Sequence, residues 1–305
     1  MRHTILALFL VLVAPAVALA WNDRGHMMVA AIAWEHLSPS AKARASELLK
    51  LNPLYGKWVQ SAAEEDADEV AFVRAATWPD FIKRSADYTN DGGDPSASGP
   101  DASRNIGYSD KLMHKYWHYI DLPFSTDGTP TAPPKDPNAE TQIIAFRDTI
   151  SGTAIDDIKS YDFVWLLHLV GDVHQPLHAT SRFSHQFPSG DDGGNSEKVC
   201  VPACGEALHA FWDDALGKSE SVIGAIKAAA KLDDPPASGA AITDPHAWIV
   251  ESFELAKSTV YTPIGDGKGP FTLSDDYQEN AKAIAEERVA LGGVRLANLL
   301  NAFLK

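Results

Sequence analysis

The sequence predicts one mostly helical domain, and three observations predict it. Segments with apolar residues at helical spacing follow one another along the chain, no alternating strand run exceeds a few residues, and no repeat of 20 to 50 residues is visible. The chain has 305 residues with 45% hydrophobic content, enough to build a sizeable core in one large domain.

Residues 1–20 stand apart from that domain. Arg2 and His3 give a short basic start, residues 5–19 are apolar, and Ala18-Leu19-Ala20 is a small-x-small cleavage signal. The expectation is a secretory signal peptide over 1–20 and a mature chain over 21–305 that starts at Trp21, with no further membrane-spanning segment. A periplasmic or secreted bacterial location follows, and no Asn-x-Ser/Thr site argues for a glycoprotein. In an oxidising compartment Cys200 and Cys204 are expected to form a local disulfide.

The elements read in order as follows. Residues 27–37 form a plausible helix; Ser38 caps the next, with Pro39 in its first turn, running to about Lys50. Residues 64–76 look helical and lead to Trp78-Pro79-Asp80, where Asp80 sits at a helix start and either caps it or binds a cation. Residues 85–109 are rich in Gly, Pro, Ser, Asp and Asn and read as an irregular excursion, and 125–138 as a second, Pro-rich loop. Residues 140–159 read as one amphipathic helix, followed by an apolar helix from Tyr161. Three further helices are expected at 219–232, 245–261 and 275–304, as packing elements without chemistry.

Chemistry concentrates where the apolar helix ends. His168 and Asp172 are four apart and share a helix face; Pro176 then ends or kinks the helix and frees His178. His209 and Asp213 repeat the four-residue spacing in a second apolar helical stretch. Each His could be a satisfied core residue and each Asp a helix-end group, but two inward-facing His/Asp pairs call for a common cation. Imidazole with carboxylate suits zinc best, with iron, copper or nickel left open by ligand type. His118, amid aromatic residues, could join Asp80 on one metal, and the freed amine and carbonyl of Trp21, with His26, could chelate another. The formal charge of −15 excludes binding nucleic acid through a broad basic surface, so any polyanion must be drawn locally.

Taken in order, Trp21, His26, Trp78-Pro-Asp80, His118-Tyr-Ile-Asp121, His168-x3-Asp172-x5-His178 and His209-x3-Asp213 resemble the zinc-dependent single-strand nucleases of the S-one/P-one type, relatives of bacterial zinc phospholipase C. The resemblance implies an all-α fold of the phospholipase C/nuclease type, with long loops around three zinc ions. One ion would take Asp80, His118, His168 and Asp172; a second His178, His209 and Asp213; a third the Trp21 amine and carbonyl, His26 and the shared Asp172. Three zinc ions against three carboxylates and one bridging hydroxide would leave a local charge of about +2, which lets an acidic chain hold a phosphodiester. The resemblance further implies in-line attack by hydroxide, with Asp80, Asp172 and the nearby Lys83 as catalytic positions and Arg84 as a substitute for Lys83. The products would be 5′-phosphate ends, with 3′-nucleotidase activity as well.

Tyr119 and Asp121 match base-contacting positions, and Asn195 in the Gly-Gly-Asn loop is a further candidate for them. Single-stranded DNA and RNA and nucleotides are the implied partners, without a stable protein partner or a membrane. This chain departs from the fungal members in a longer Asp80 to His118 interval, and the Tyr119 hydroxyl alters the aromatic contact. Two alternatives remain: a zinc phospholipase C, which has Glu where this chain has Asp213, and a non-enzymatic periplasmic zinc-binding protein.

Overall fold

The structure is a computed structural model and describes residues 21–93, 101–218, 221–267 and 269–304. The expected signal segment 1–20 lies outside the described residues. Helix α1 (Asp23–His36) opens on Asn22, whose side-chain oxygen accepts from the Arg24 and Gly25 N–H groups, and it is buried along most of its length. Helix α2 (Pro39–Leu49) starts on the expected Ser38 cap. Short α3 (Tyr55–Val59), α4 (Ala67–Ala75) and α5 (Trp78–Ile82) follow. Asp80 thus lies in the first turn of α5, and it is completely buried.

Helix α6 (Ala139–Ser151) is closed at its start by a reciprocal capping pair, Asn138 and Thr141. Helix α7 (Asp156–Asp172) is buried at every residue from Ser160 onward, on all sides. Each large apolar side chain buried there contributes roughly 1.5–3 kcal/mol, which lets the helix carry polar His168 and Asp172 into the core. The expectation of one helix over 140–159 is corrected here. The chain breaks at Gly152, and Ile155, 68% exposed, starts α7 without belonging to a buried stripe. The helix ends at Asp172, where Pro176 required it to stop.

Helix α8 (Leu208–Asp213) carries the second His/Asp pair, followed by α9 (Val222–Ala229), α10 (Ala237–Ala240), α11 (Pro245–Leu255), which continues as a π turn (Ala256–Val260), and the long α12 (Asp275–Phe303). Among the described residues no helix is long and apolar enough to cross a membrane.

Among the described residues lie five very short strands that were not expected. β1 (Pro123–Ser125) pairs in parallel with β2 (Ser181–Phe183); β3 (Lys198–Cys200) pairs with β4 (Cys204–Ala207) antiparallel and with β5 (Phe271–Thr272) in parallel. At two to four residues each, they are too short to show an alternating pattern. The expected disulfide joins Cys200 to Cys204 and closes the β3–β4 hairpin. The main apolar core gathers α1, α4, α6, α7 and part of α12, and a second cluster lies under α8, β3 and the π turn. The chemistry sits around the C-terminal end of α7.

Candidate metal centre

Three sets of buried side chains each bring their ligand atoms within 4.8 Å of one another: His26, Asp80 and His168; His118, His168 and Asp172, which shares His168 with the first; and His178, His209 and Asp213. The structure therefore unites residues from α1, α5, the 118–121 segment, α7 with the turn after it, and α8. Asp172 is the hinge of the arrangement. Its Oδ2 lies 3.1 Å from His118 Nδ1 and 3.2 Å from His168 Nε2, while its Oδ1 faces His26 Nε2 at 3.4 Å and His178 Nδ1 at 3.8 Å. His26 stacks on His168, with ring centroids 3.7 Å apart. It thereby sits beside Asp80 as well as beside Asp172, with which it was expected.

Backbone carbonyls set the tautomers. The Nδ1–H groups of His168, His178 and His209 face the carbonyls of Ala76, His118 and Gly193 at 2.7, 2.8 and 2.7 Å. With those protons placed, Nε2 of His178 and Nε2 of His209 meet at 3.1 Å with a lone pair on each and no proton between them. Two lone pairs so close repel unless a cation lies between them, and Asp213 Oδ2, 3.6 Å from His209 Nε2, completes the set. Gln175 donates Nε2–H to Asp213 Oδ1 at 2.8 Å, fixing the carboxylate. Gln175 was not foreseen; the only sequence signal was a polar residue in an otherwise buried turn.

Burial controls charge as well. It lowers His26 to about 3 and His168 and His209 to about 4, and it holds His118 and His178 well below the ordinary imidazole range. All five imidazoles are therefore neutral, the form that binds metal. Burial also raises Asp172 and Asp213 well above the usual carboxylate range, so both lie where a positive charge is wanted. Asp80 differs: burial pushes it up, but Lys83, His168 and His26 outweigh burial and bring it down to about 2. Lys83 is itself buried, its ammonium 2.5 Å from Asp80 Oδ1, whereas Arg84 points outward to Asp23 at 3.8 Å.

Among the described residues, both ring nitrogens of His26, Nε2 of His118, Oδ2 of Asp80 and Oδ1 of Asp172 lack a hydrogen-bond partner. Buried polar atoms are normally satisfied. So many orphans converging on one place, from donor types that suit zinc, fit metal ions well.

Trp21 is fully buried, and its indole N–H donates to the Gly171 carbonyl at 3.1 Å. A Cβ at Gly25 would come within 2.7 Å of Trp21 Cβ, so the first turn of α1 leaves that ring its room. The Asn22 N–H donates to the Asp213 carbonyl at 3.3 Å, which ties this segment to the other His/Asp helix.

Tyr119 and Asp121 line a cleft of about 290 Å³ beside the centre, walled by Pro133, Pro134 and Lys135 of the Pro-rich loop. The Tyr119 hydroxyl donates to the Gly93 carbonyl in the excursion. Asn195 does not reach that wall. Its amide donates to Asp192 within its own turn at 2.8 Å, and the loop meets the centre through Gly193 instead. Gly193 has a left-handed φ of 56°, and a Cβ there would lie 2.6 Å from the Leu177 carbonyl.

Against known proteins, residues 21–305 match the family model described as S1/P1 Nuclease. The chain belongs to the S1/P1 nuclease family. It is a hydrolytic nuclease, of a family that depends on metal. It is similar to Endonuclease 3 of Arabidopsis thaliana, 27% identical, covering 93% of this chain and 89% of that protein. Endonuclease 4 of the same plant is 26% identical over the same shares, and Endonuclease 1 is 28% identical over 66% of this chain and 74% of its own. The family match begins at Trp21, the first residue after the expected signal segment of this S1/P1 nuclease.

Proposed function

We propose that this nuclease is a three-zinc endonuclease that cleaves single-stranded DNA and RNA to 5′-phosphate products and removes phosphate from 3′-nucleotides. The observation that carries the reading is the facing pair of bare imidazole nitrogens on His178 and His209, beside the two further sets that share His168. His178, His209 and Asp213 would hold one ion, and Asp80, His118, His168 and Asp172 a second. His26, Asp172 and the backbone amine and carbonyl of a Trp21 freed by signal cleavage would hold the third. Zinc supplies Lewis acidity towards a phosphoryl oxygen and makes hydroxide available near neutral pH.

The remaining work falls to the chain. The His178/His209/Asp213 set offers only three protein ligands, the pattern of a site that admits substrate. Lys83 sets an ammonium beside Asp80, where it can meet the charge of a phosphodiester. The Tyr119 ring and the Asp121 carboxylate present a stacking face and an acceptor to one base, at roughly 1–3 kcal/mol per stacked base whatever its identity. A duplex hides its base faces, so an unpaired strand is the better substrate. The same reading places the mature chain, starting at Trp21, in the periplasm or outside the cell.

One zinc-loaded preparation, assayed on single-stranded DNA, RNA, duplex DNA, a 3′-nucleotide and phosphatidylcholine, tests the proposal. The expected result is hydrolysis of both single strands and the 3′-nucleotide, with 5′-phosphate ends and about three zinc ions per chain. Hydrolysis of the lipid alone would overturn it in favour of a phospholipase, and bound zinc without phosphoester hydrolysis would overturn it in favour of a storage role. Adding one residue before Trp21 is expected to lower both zinc content and rate.

A further inference from the structure

Helix α5 has two faces with different chemistry. Asp80 and Lys83 turn inward to the centre, while Phe81, 44% exposed, and Arg84 turn outward. Phe81 and Arg84 border a groove of about 390 Å³ that also includes Lys57 and Trp58 of α3, Arg74 of α4 and Asp23 of α1. Three cations thus stand against one carboxylate, on a chain whose overall charge is −15. Asp23 belongs to the first turn of α1, where a carboxylate complements the helix dipole, and it partners Arg84 at 3.8 Å. Lys57 and Arg74 are exposed and form no ion pair with another described residue. The groove lies on the outer face of the helix that carries Asp80 and Lys83, and it is lined by Trp78, Phe81 and Arg84 of that segment.

An exposed aromatic ring flanked by unpaired cations is the combination that holds single-stranded nucleic acid: a platform for a base and charges for the phosphates on either side. It is separate from the Tyr119/Asp121 cleft, which opens from the chain next to His118.

We propose that the Phe81 groove is a second subsite, in which a nucleotide beyond the one at the scissile phosphate stacks on Phe81 while Lys57 and Arg74 take the neighbouring phosphates. This rests on the nuclease reading above. It makes the enzyme sensitive to substrate length: a strand that reaches both clefts is held at two places, and a dinucleotide at one.

The test compares kcat/KM for a single-stranded oligonucleotide of about eight residues with that for a dinucleotide. Wild type is set against Phe81→Ala, Phe81→Trp and the double variant Lys57→Glu/Arg74→Glu, with zinc content measured in each. Binding of a phosphorothioate oligonucleotide to the metal-loaded protein is followed by fluorescence anisotropy across salt concentrations. The expected result is a fall of about tenfold in the long-to-short ratio for Phe81→Ala, the size of one lost stacked base, with recovery in Phe81→Trp. The charge-reversed pair is expected to weaken oligonucleotide binding and to flatten its salt dependence by roughly 1–1.5 in the logarithmic slope. An unchanged ratio and an unchanged salt slope, at wild-type zinc content, would overturn the subsite and leave the nuclease reading intact. A wild-type protein that cleaves neither substrate would overturn both.

Discussion

His174 and His178 lie four residues apart in one turn, both buried, yet their surroundings differ in kind. The His174 ring is closed by protein on both sides: Nδ1 meets the Val170 carbonyl at 2.7 Å, and Nε2 accepts from Arg295 at 3.0 Å. Arg295 also grips Glu251 at 2.7 and 2.8 Å, and Arg288 ties Glu251, Ser252 and the His174 carbonyl together. His178 spends Nδ1 on the His118 carbonyl and leaves Nε2 facing another bare nitrogen. Burial and residue type are the same in the two cases, so neither distinguishes scaffold from chemistry. The distinguishing property is whether every polar atom ends on a partner supplied by the chain.

The comparison can be broken most forcefully at Asp172. Asp172→Asn is expected to lower the rate by about a thousandfold, as the loss of several kcal/mol of electrostatic stabilisation requires, and to remove more metal than Asp213→Asn. Equal metal loss in the two variants, read by elemental analysis, would contradict the shared role of Asp172. In the closed network, Arg295→Met leaves His174 Nε2 without a donor and Glu251 with half its guanidinium partners. Denaturant unfolding of the metal-loaded protein is expected to show a loss of roughly 3 kcal/mol, with the zinc content of the folded fraction retained.

Gln175 lies between the two cases, a chain-supplied donor to a ligand. Gln175→Leu is expected to weaken metal affinity at the His178/His209/Asp213 set by about ten- to a hundredfold, with little change in melting temperature, as a competitive chelator titration would show.

The smallest effect is expected at His114, a third buried imidazole, closed by Asp110 at 3.0 Å and Asp91 at 3.2 Å. Burial lowers its pKa, but hydrogen bonds to Asp110 and Asp91 outweigh burial and raise it above 6.5. Because the folded state holds this proton more tightly than the unfolded state, the stabilisation is complete below pH 6.5 and is lost as pH rises through the raised value. His114→Gln is therefore expected to cost about 1 kcal/mol at acidic pH and progressively less in alkali, with thermal melts at both ends as the check. A deficit that grew with pH would reverse the assignment.

Much of the centre was legible in the sequence because its ligands come in local pairs. His168 with Asp172 and His209 with Asp213 are spaced by helical geometry alone, and Pro176 announces where α7 stops. What distinguishes His174 from His178 was not legible, since its side-chain partner Arg295 comes from α12, 121 positions further along. The helix break at Gly152 was hidden because Ile143, Phe146, Ile150, Ala154 and Ile158 keep a helical spacing across it, and one glycine costs only about 1 kcal/mol. The short strands were invisible for another reason: β1 and β2 exist through a pairing between positions 123 and 181, which no local pattern encodes. Asn195 was read from its neighbours, yet the left-handed run beside it sends a backbone carbonyl, not that side chain, towards the imidazoles.

Five stretches of chain, from His26 to Asp213, meet in three sets of ligand atoms, each set within 4.8 Å. Cations seated there would add staples between parts of the polypeptide that hydrogen bonds to the backbone already join, as His168 is joined to Ala76 and His178 to His118. Folding and ion uptake are then one equilibrium, and each tenfold rise in free metal above the dissociation constant adds about 1.4 kcal/mol per ion to the stability of the whole domain. In a metal-poor medium the protein would lose its resistance to proteases along with its activity, so ambient supply of the ion governs how long each molecule survives.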